Sequence, residues 1–181
     1  DVLKHGVEFD NGVSLTLMYR KPATTFNQKA EALYQQNVLS VMEEVWHKEG
    51  ERIDLVIFLN GIAIFTFELK CNTSGQNYED AIRQYKFERD CKTRLLKFKA
   101  GCLAHFAMDL NEVYMCTNLK GKSSFFLPFN KGCGVGIHSG KGNPHNENGI
   151  NVSYMWEDIL KKDTVLYLID KIISLQKETK K

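Results

Sequence analysis

Residues 52–72 read RIDLVIFLNGIAIFTFELKCN, two apolar runs divided by Asn60-Gly61. An Asn-Gly pair between apolar runs is the strongest short-range sign of a β-hairpin. Both parities of the runs are apolar. Ile53, Leu55, Ile57, Ala63, Phe65 and Phe67 take one; Val56, Phe58, Ile62 and Ile64 take the other. Strands buried on both sides belong in the middle of a sheet covered by helices. Three charges break the pattern: Asp54 near the start of the first run, and Glu68 and Lys70 at the end of the second. Such groups enter a buried layer only when paired, hydrogen-bonded or bound to a metal.

The turn decides whether these charges meet. A two-residue Asn-Gly turn pairs Asp54 with Phe67 and sends Glu68 and Lys70 to the opposite face. A three-residue loop with Gly61 left-handed in a G1 bulge pairs Asp54 with Thr66 and sets all three charges on one face. The functional reading requires the bulge, because only then can two carboxylates close on one hard cation at about 2.1 Å. Two acids holding Mg²⁺ neutralise a phosphate and acidify a bound water. A neighbouring ammonium positions that water or offsets developing charge. The competing reading is that Asp, Glu and Lys simply solvate strand ends, since an acid followed by Glu-x-Lys is a loose pattern.

Composition sets the outer limits. The 181 residues suffice for one domain or slightly more, and the net charge of +2 gives no overall basic field, so any DNA contact needs a local patch. Five cysteines without a C-x-x-C pair point to free thiols in a reducing cytoplasm. No apolar run is long enough for a membrane span. The chain opens at Asp1 and closes on KETKK, and both ends are expected to continue into a longer protein.

Along the chain, VSLTLMYRKP reads as a strand ending at Pro22. Asn27 to about Gln36 reads as helix, and Val38–Trp46 as helix or strand. NYEDAIRQYKFERDCKTRLLKF reads as one helix capped by Asn77, with Glu79 and Asp80 in its first turn. CLAHFAMDLNEVYMCTNL reads as two strands about a turn at Asp109–Asn111, and Tyr154–Gln176 as a closing amphipathic helix. The sum is an α/β or α+β domain over residues 1–153 with a C-terminal helix over 154–181.

RIDLVIFLNGIAIFTFELK followed by YEDAIRQYKFERD resembles the nuclease domain of the R subunit of type I restriction-modification enzymes, a PD-(D/E)xK nuclease. The resemblance continues through HFAMDLNEVYMCTNLKGKSSFFLPFNKG, GNPHNENG and SYMWEDILKKD. It implies a restriction-endonuclease-like fold, a mixed central sheet flanked by helices. It implies Asp54, Glu68 and Leu69 as ligands for Mg²⁺, for which Mn²⁺ can substitute. Lys70 is implied as the catalytic lysine, and Gln84 as a residue that faces the site and orders phosphate or water. Two departures stand out: Ile53 precedes the acid where the family motif has proline, and Glu88 follows Gln84 by four where the family often has tyrosine, which here is Tyr85. Glu31 is a candidate for an extra acid from an upstream helix. The implied partners are double-stranded DNA and the modification and specificity subunits, with no membrane. ATP enters only through a motor domain outside this chain. The rival reading is an idle nuclease-fold module that binds DNA or scaffolds the motor.

Other motifs carry less. Tyr85, Lys86, Arg89, Lys92 and Arg94 follow the site as a candidate DNA-contacting patch, although a solvated helix face explains most of them. GVGIHSGKG fails as a phosphate loop, which needs glycine at Val135 and Ser or Thr at Gly142. Cys133, His138 and His145 lack metal-ligand spacing.

Overall fold

The computed structural model describes residues 2–24, 26–134, 136–138 and 140–174, the side chain of His138 excepted. Two compact units divide the chain: one combines Asp1–Ser40, Leu59–Gly61 and Trp156–Lys181, the other Val41–Phe58 and Ile62–Met155.

The first unit holds helix α1 (Val2–His5), the short antiparallel pair β1 (Val7–Glu8) and β2 (Ser14–Leu15), and helix α2 (Gln28–Gln35). Only Ser14–Leu15 of the expected VSLTLMYRKP strand pairs. Asn27 caps α2 by accepting the Ala30 N–H at 3.0 Å. Tyr34 is buried, and its hydroxyl donates to Asp163 at 2.6 Å. The expected closing helix is broken: α4 (Lys162–Tyr167) lies between π-helical turns Met155–Ile159 and Leu168–Ile172. Lys161 is extended, with ψ 141°, and so interrupts the helical run. Gln176, the expected end of that helix, lies outside the described residues.

The second unit is a mixed α/β layer. Strands β3 (Leu39–Lys48), β4 (Glu51–Leu59), β5 (Ile62–Leu69), β6 (Ala104–Met108), β7 (Val113–Cys116) and β8 (Leu127–Pro128) form one sheet in that order. β5 and β6 run parallel, with Thr66 opposite His105 and Glu68 opposite Ala107. β6 with β7 and β7 with β8 are antiparallel. Helix α3 (Tyr78–Phe87) lies within the crossover between the parallel strands. Its Ala81 and Tyr85, one turn apart, are buried in an apolar cluster with Ile53, Val56, Leu96, Ala107 and Cys116.

Local chemistry fixes where α3 begins and ends. Asn77 and Asp80 form a reciprocal capping box: the Asn77 side chain accepts from the Glu79 and Asp80 N–H groups, and Asp80 accepts from the Asn77 N–H. Buried Asp109 accepts the Tyr78 N–H at 3.1 Å and closes its own turn through the Asn111 and Glu112 N–H groups. The start of α3 is thereby tied to the end of β6. The helix stops at Phe87 rather than running on through the basic segment. Asp90 accepts the Lys92 N–H, the Thr93 hydroxyl donates to the Asp90 carbonyl, and the Asp90 N–H goes to Glu51 at 2.7 Å. Those bonds draw main-chain groups away from a helical ladder.

The hairpin turn differs from the expected three-residue loop. Asn60 and Gly61 both have left-handed φ, 50° and 81°, as a two-residue type I′ turn requires. Asn tolerates this conformation, and its groups are fully engaged. The Asn60 N–H and side-chain oxygen bond the Val38 main chain, and its amide donates to Leu17 and Asn37. The space around Gly61 is open, so a Cβ there meets backbone strain and no clash. Gly61→Ala is expected to lower unfolding stability by about 1–2 kcal/mol in urea titration. An unchanged midpoint would contradict the left-handed turn.

Candidate active site

Despite the short turn, Asp54 and Glu68 meet. Glu68 lies opposite Ala107, which belongs to the cluster beneath α3, so Glu68 faces α3. Ile53 and Val56 also belong to that cluster, although residues three apart on a regular strand face opposite ways. The approach of Asp54 to Glu68 therefore occurs with a two-residue turn and without the three-residue loop that the sequence reading required at Gly61.

The carboxylates are fixed by different groups. Asp54 Oδ2 accepts the Leu69 N–H at 2.7 Å, which draws the aspartate to the end of β5. Glu68 is fully buried. Its Oε1 accepts from Arg89 Nε at 2.7 Å, and the Asp54 carboxylate is close enough to act on its charge. Burial pushes the Glu68 carboxyl up to about 8; the Arg89 pair pulls it down and the Asp54 charge pushes it further up.

Lys70 and Gln84 share a cleft of about 220 Å³ with Gln76, Asp80, Arg83 and Glu88. Asp54 and Glu68 do not line it. Two buried side-chain oxygens have no hydrogen-bond partner, Glu68 Oε2 and Gln84 Oε1. Carboxylate and amide oxygens are the donors that hard divalent cations take, and Mg²⁺ commonly uses only one or two carboxylates. The donor set therefore fits such an ion. Among the described residues, no group of three or more His, Cys, Asp or Glu side chains comes together. The Leu69 carbonyl and water are the remaining oxygen sources.

Behind Glu68 lies a second polar group. Thr66 Oγ1 is 2.8 Å from both the Tyr85 hydroxyl and His105 Nδ1, and all three residues are buried. Burial pushes His105 down to about 3, which keeps the imidazole neutral. Two residues of the expected DNA patch are thus corrected. Tyr85 is fully buried and bonded to Thr66, so no DNA reaches it. Arg89 is turned inward onto Glu68, and its side chain is only 10% exposed. Lys86 is half-buried, while Lys92 and Arg94 are exposed. Glu31 lies on α2 in the first unit and accepts from Gln35 at 2.7 Å. Cys133 Sγ donates to the Lys141 and Asn143 carbonyls. Val135 and the His138 side chain lie outside the described residues.

Sequence reasoning missed the inward roles of Arg89, Thr66 and His105. The pairing of His105 with Thr66 depends on the register of a parallel crossover, which no local pattern announces. Arg89 looked like one basic residue among many because the helix was expected to continue past it.

A family described as the type I restriction enzyme R protein N terminus matches residues 13–124, more than half of the chain. The matched span includes the whole hairpin, α3, β6 and β7. A mixed six-stranded sheet with a helix on the site-bearing face is compatible with a restriction-endonuclease-like fold. No curated protein matches the chain significantly.

The raised Glu68 pKa has a stability consequence with a definite sign. Without added metal, the folded protein keeps a proton that the unfolded chain loses near the ordinary glutamate value. Glu68's contribution is whole below about pH 4 and is lost as pH rises through about 8. Relative to Glu68→Gln, the wild type is expected to lose up to about 1.4 kcal/mol per pH unit across this window, measured by urea unfolding with a chelator. A pH-independent difference would contradict the raised proton affinity of the buried Glu68 carboxyl.

Proposed function

The chain belongs to the family of type I restriction enzyme R protein N termini, and on that premise we propose that it is an endonuclease domain hydrolysing phosphodiester bonds of double-stranded DNA with a divalent cation. The observation that carries this reading is the placing of the buried, half-satisfied Glu68 carboxylate against Asp54. Asp54, Glu68 Oε2 and the Leu69 carbonyl would hold Mg²⁺ or Mn²⁺. When bound, that ion supplies phosphate neutralisation and a more acidic water.

The chain's own residues divide the remaining work. Asp54, held by the Leu69 N–H, keeps one oxygen for the ion. Lys70, which lines the cleft, would offset charge developing on the phosphate and order the attacking water. Gln84, with its carbonyl oxygen unpartnered, accepts a hydrogen bond from that water or orients the phosphate through its amide. Lys92 and Arg94 remain exposed for contact with the DNA backbone. The modification and specificity subunits and an ATP-driven motor, reached through the segment after residue 153, would supply target choice and translocation. Among the described residues no helix is long and apolar enough to cross a membrane.

Two measurements test the reading. Calorimetric titration with Mn²⁺ should give a site in the wild type that Asp54→Ala weakens at least tenfold; equal affinity would favour an idle scaffold. In the complete restriction enzyme, Lys70→Ala should lower DNA cleavage by ~10² or more with ATP hydrolysis intact. Near-normal cutting would remove Lys70 from the mechanism.

A further inference from the structure

Resting on the nuclease reading, we propose that Arg89 is a positioning residue for the metal ligand Glu68: it binds one carboxylate oxygen so that the other is presented beside Asp54. The contact is one-sided. Arg89 Nε donates to Glu68 Oε1 at 2.7 Å, while Oε2 has no hydrogen-bond partner. An arginine commonly grips a carboxylate with two parallel N–H groups, which here would occupy both oxygens. Instead Arg89 Nη1 reaches back to the Glu88 carbonyl at 3.4 Å. The geometry leaves a single free oxygen on a carboxylate whose orientation is otherwise set only by its strand and by Asp54.

Arg89 is fixed in turn. Its neighbour Asp90 donates its N–H to Glu51 at 2.7 Å and pairs with Lys48 at 3.2 Å, and Lys48 also pairs with Glu51 at 3.0 Å. His47 Nδ1 lies 3.0 Å from Thr93 Oγ1. These contacts fasten the turn after α3 to the end of the β3–β4 hairpin, so the guanidinium approaches Glu68 from a held backbone. With the arginine side chain 10% exposed and the glutamate 0%, the contact is shielded from bulk water. Groups bonded to a metal-ligating carboxylate typically govern affinity by 10–100-fold.

The opposite role is physically distinct. A cation paired with Glu68 could merely compete with the metal, and its removal would then tighten binding. Calorimetric Mn²⁺ titration of the intact chain separates the two, using wild type, Arg89→Ala, Arg89→Lys and Asp54→Ala, each checked for folding by circular dichroism. Arg89→Ala is expected to weaken Mn²⁺ binding roughly 10–100-fold. Arg89→Lys keeps the charge but loses the planar Nε–H, and should fall between wild type and alanine. Unchanged or tighter binding in either variant overturns the proposal. Should the alanine variant not fold, wild-type affinity in Arg89→Lys alone overturns it, and several-fold weakening alone supports it. Loss of binding in Asp54→Ala with no change in the Arg89 variants sinks this inference and spares the nuclease reading. Equal binding by wild type and Asp54→Ala sinks that reading instead.

Discussion

A carboxylate taken out of water is among the costliest groups a fold can carry, and Glu68 is taken out completely. Its surroundings respond to that cost only in part. Arg89 satisfies one oxygen, but Asp54 adds a like charge, and Oε2 is left bare. A side chain selected for stability alone would be apolar here, as every neighbour on the strand except Thr66 is. The incomplete satisfaction makes sense if a further cation completes the site, as the proposed function requires.

The rest of the second unit holds that arrangement in place. The parallel pairing of β5 with β6 sets Glu68 against Ala107 and Thr66 against His105. The neutral His105–Thr66–Tyr85 group fills the next layer, so α3 sits against the strand through a bonded contact as well as an apolar one. Asp109 fastens the first residue of α3 to the end of β6, and Asp90 and Glu51 fasten the turn beyond its last residue to the β3–β4 hairpin. Gln84 and Arg89 are carried at defined positions between those two anchors. A helix free to slide along the sheet would lose both.

Much of this was legible in the residues. The Asn-Gly hairpin, the doubly apolar strands and the Asn77 cap have local causes, so they follow from local sequence. Asp54, Glu68, Lys70 and Gln84 stand out because their residue types conflict with or border a buried layer. The reading failed where the deciding contact was distant. A three-residue loop was assigned to the turn, where glycine invites it. Asn60 is instead held in a tight turn by Leu17, Asn37 and Val38. The basic run after Gln84 has helical composition, yet Asp90 ends the helix by bonding to Glu51, thirty-nine residues earlier. That ending turns Arg89 from a surface charge into a partner of the buried acid.

The most direct test of the central claim is anomalous diffraction from crystals of the intact chain grown with Mn²⁺. A peak is expected about 2.1 Å from Glu68 Oε2 and an Asp54 oxygen, with Arg89 still on Oε1. A peak elsewhere, or none while the two carboxylates keep their present contacts, would contradict it.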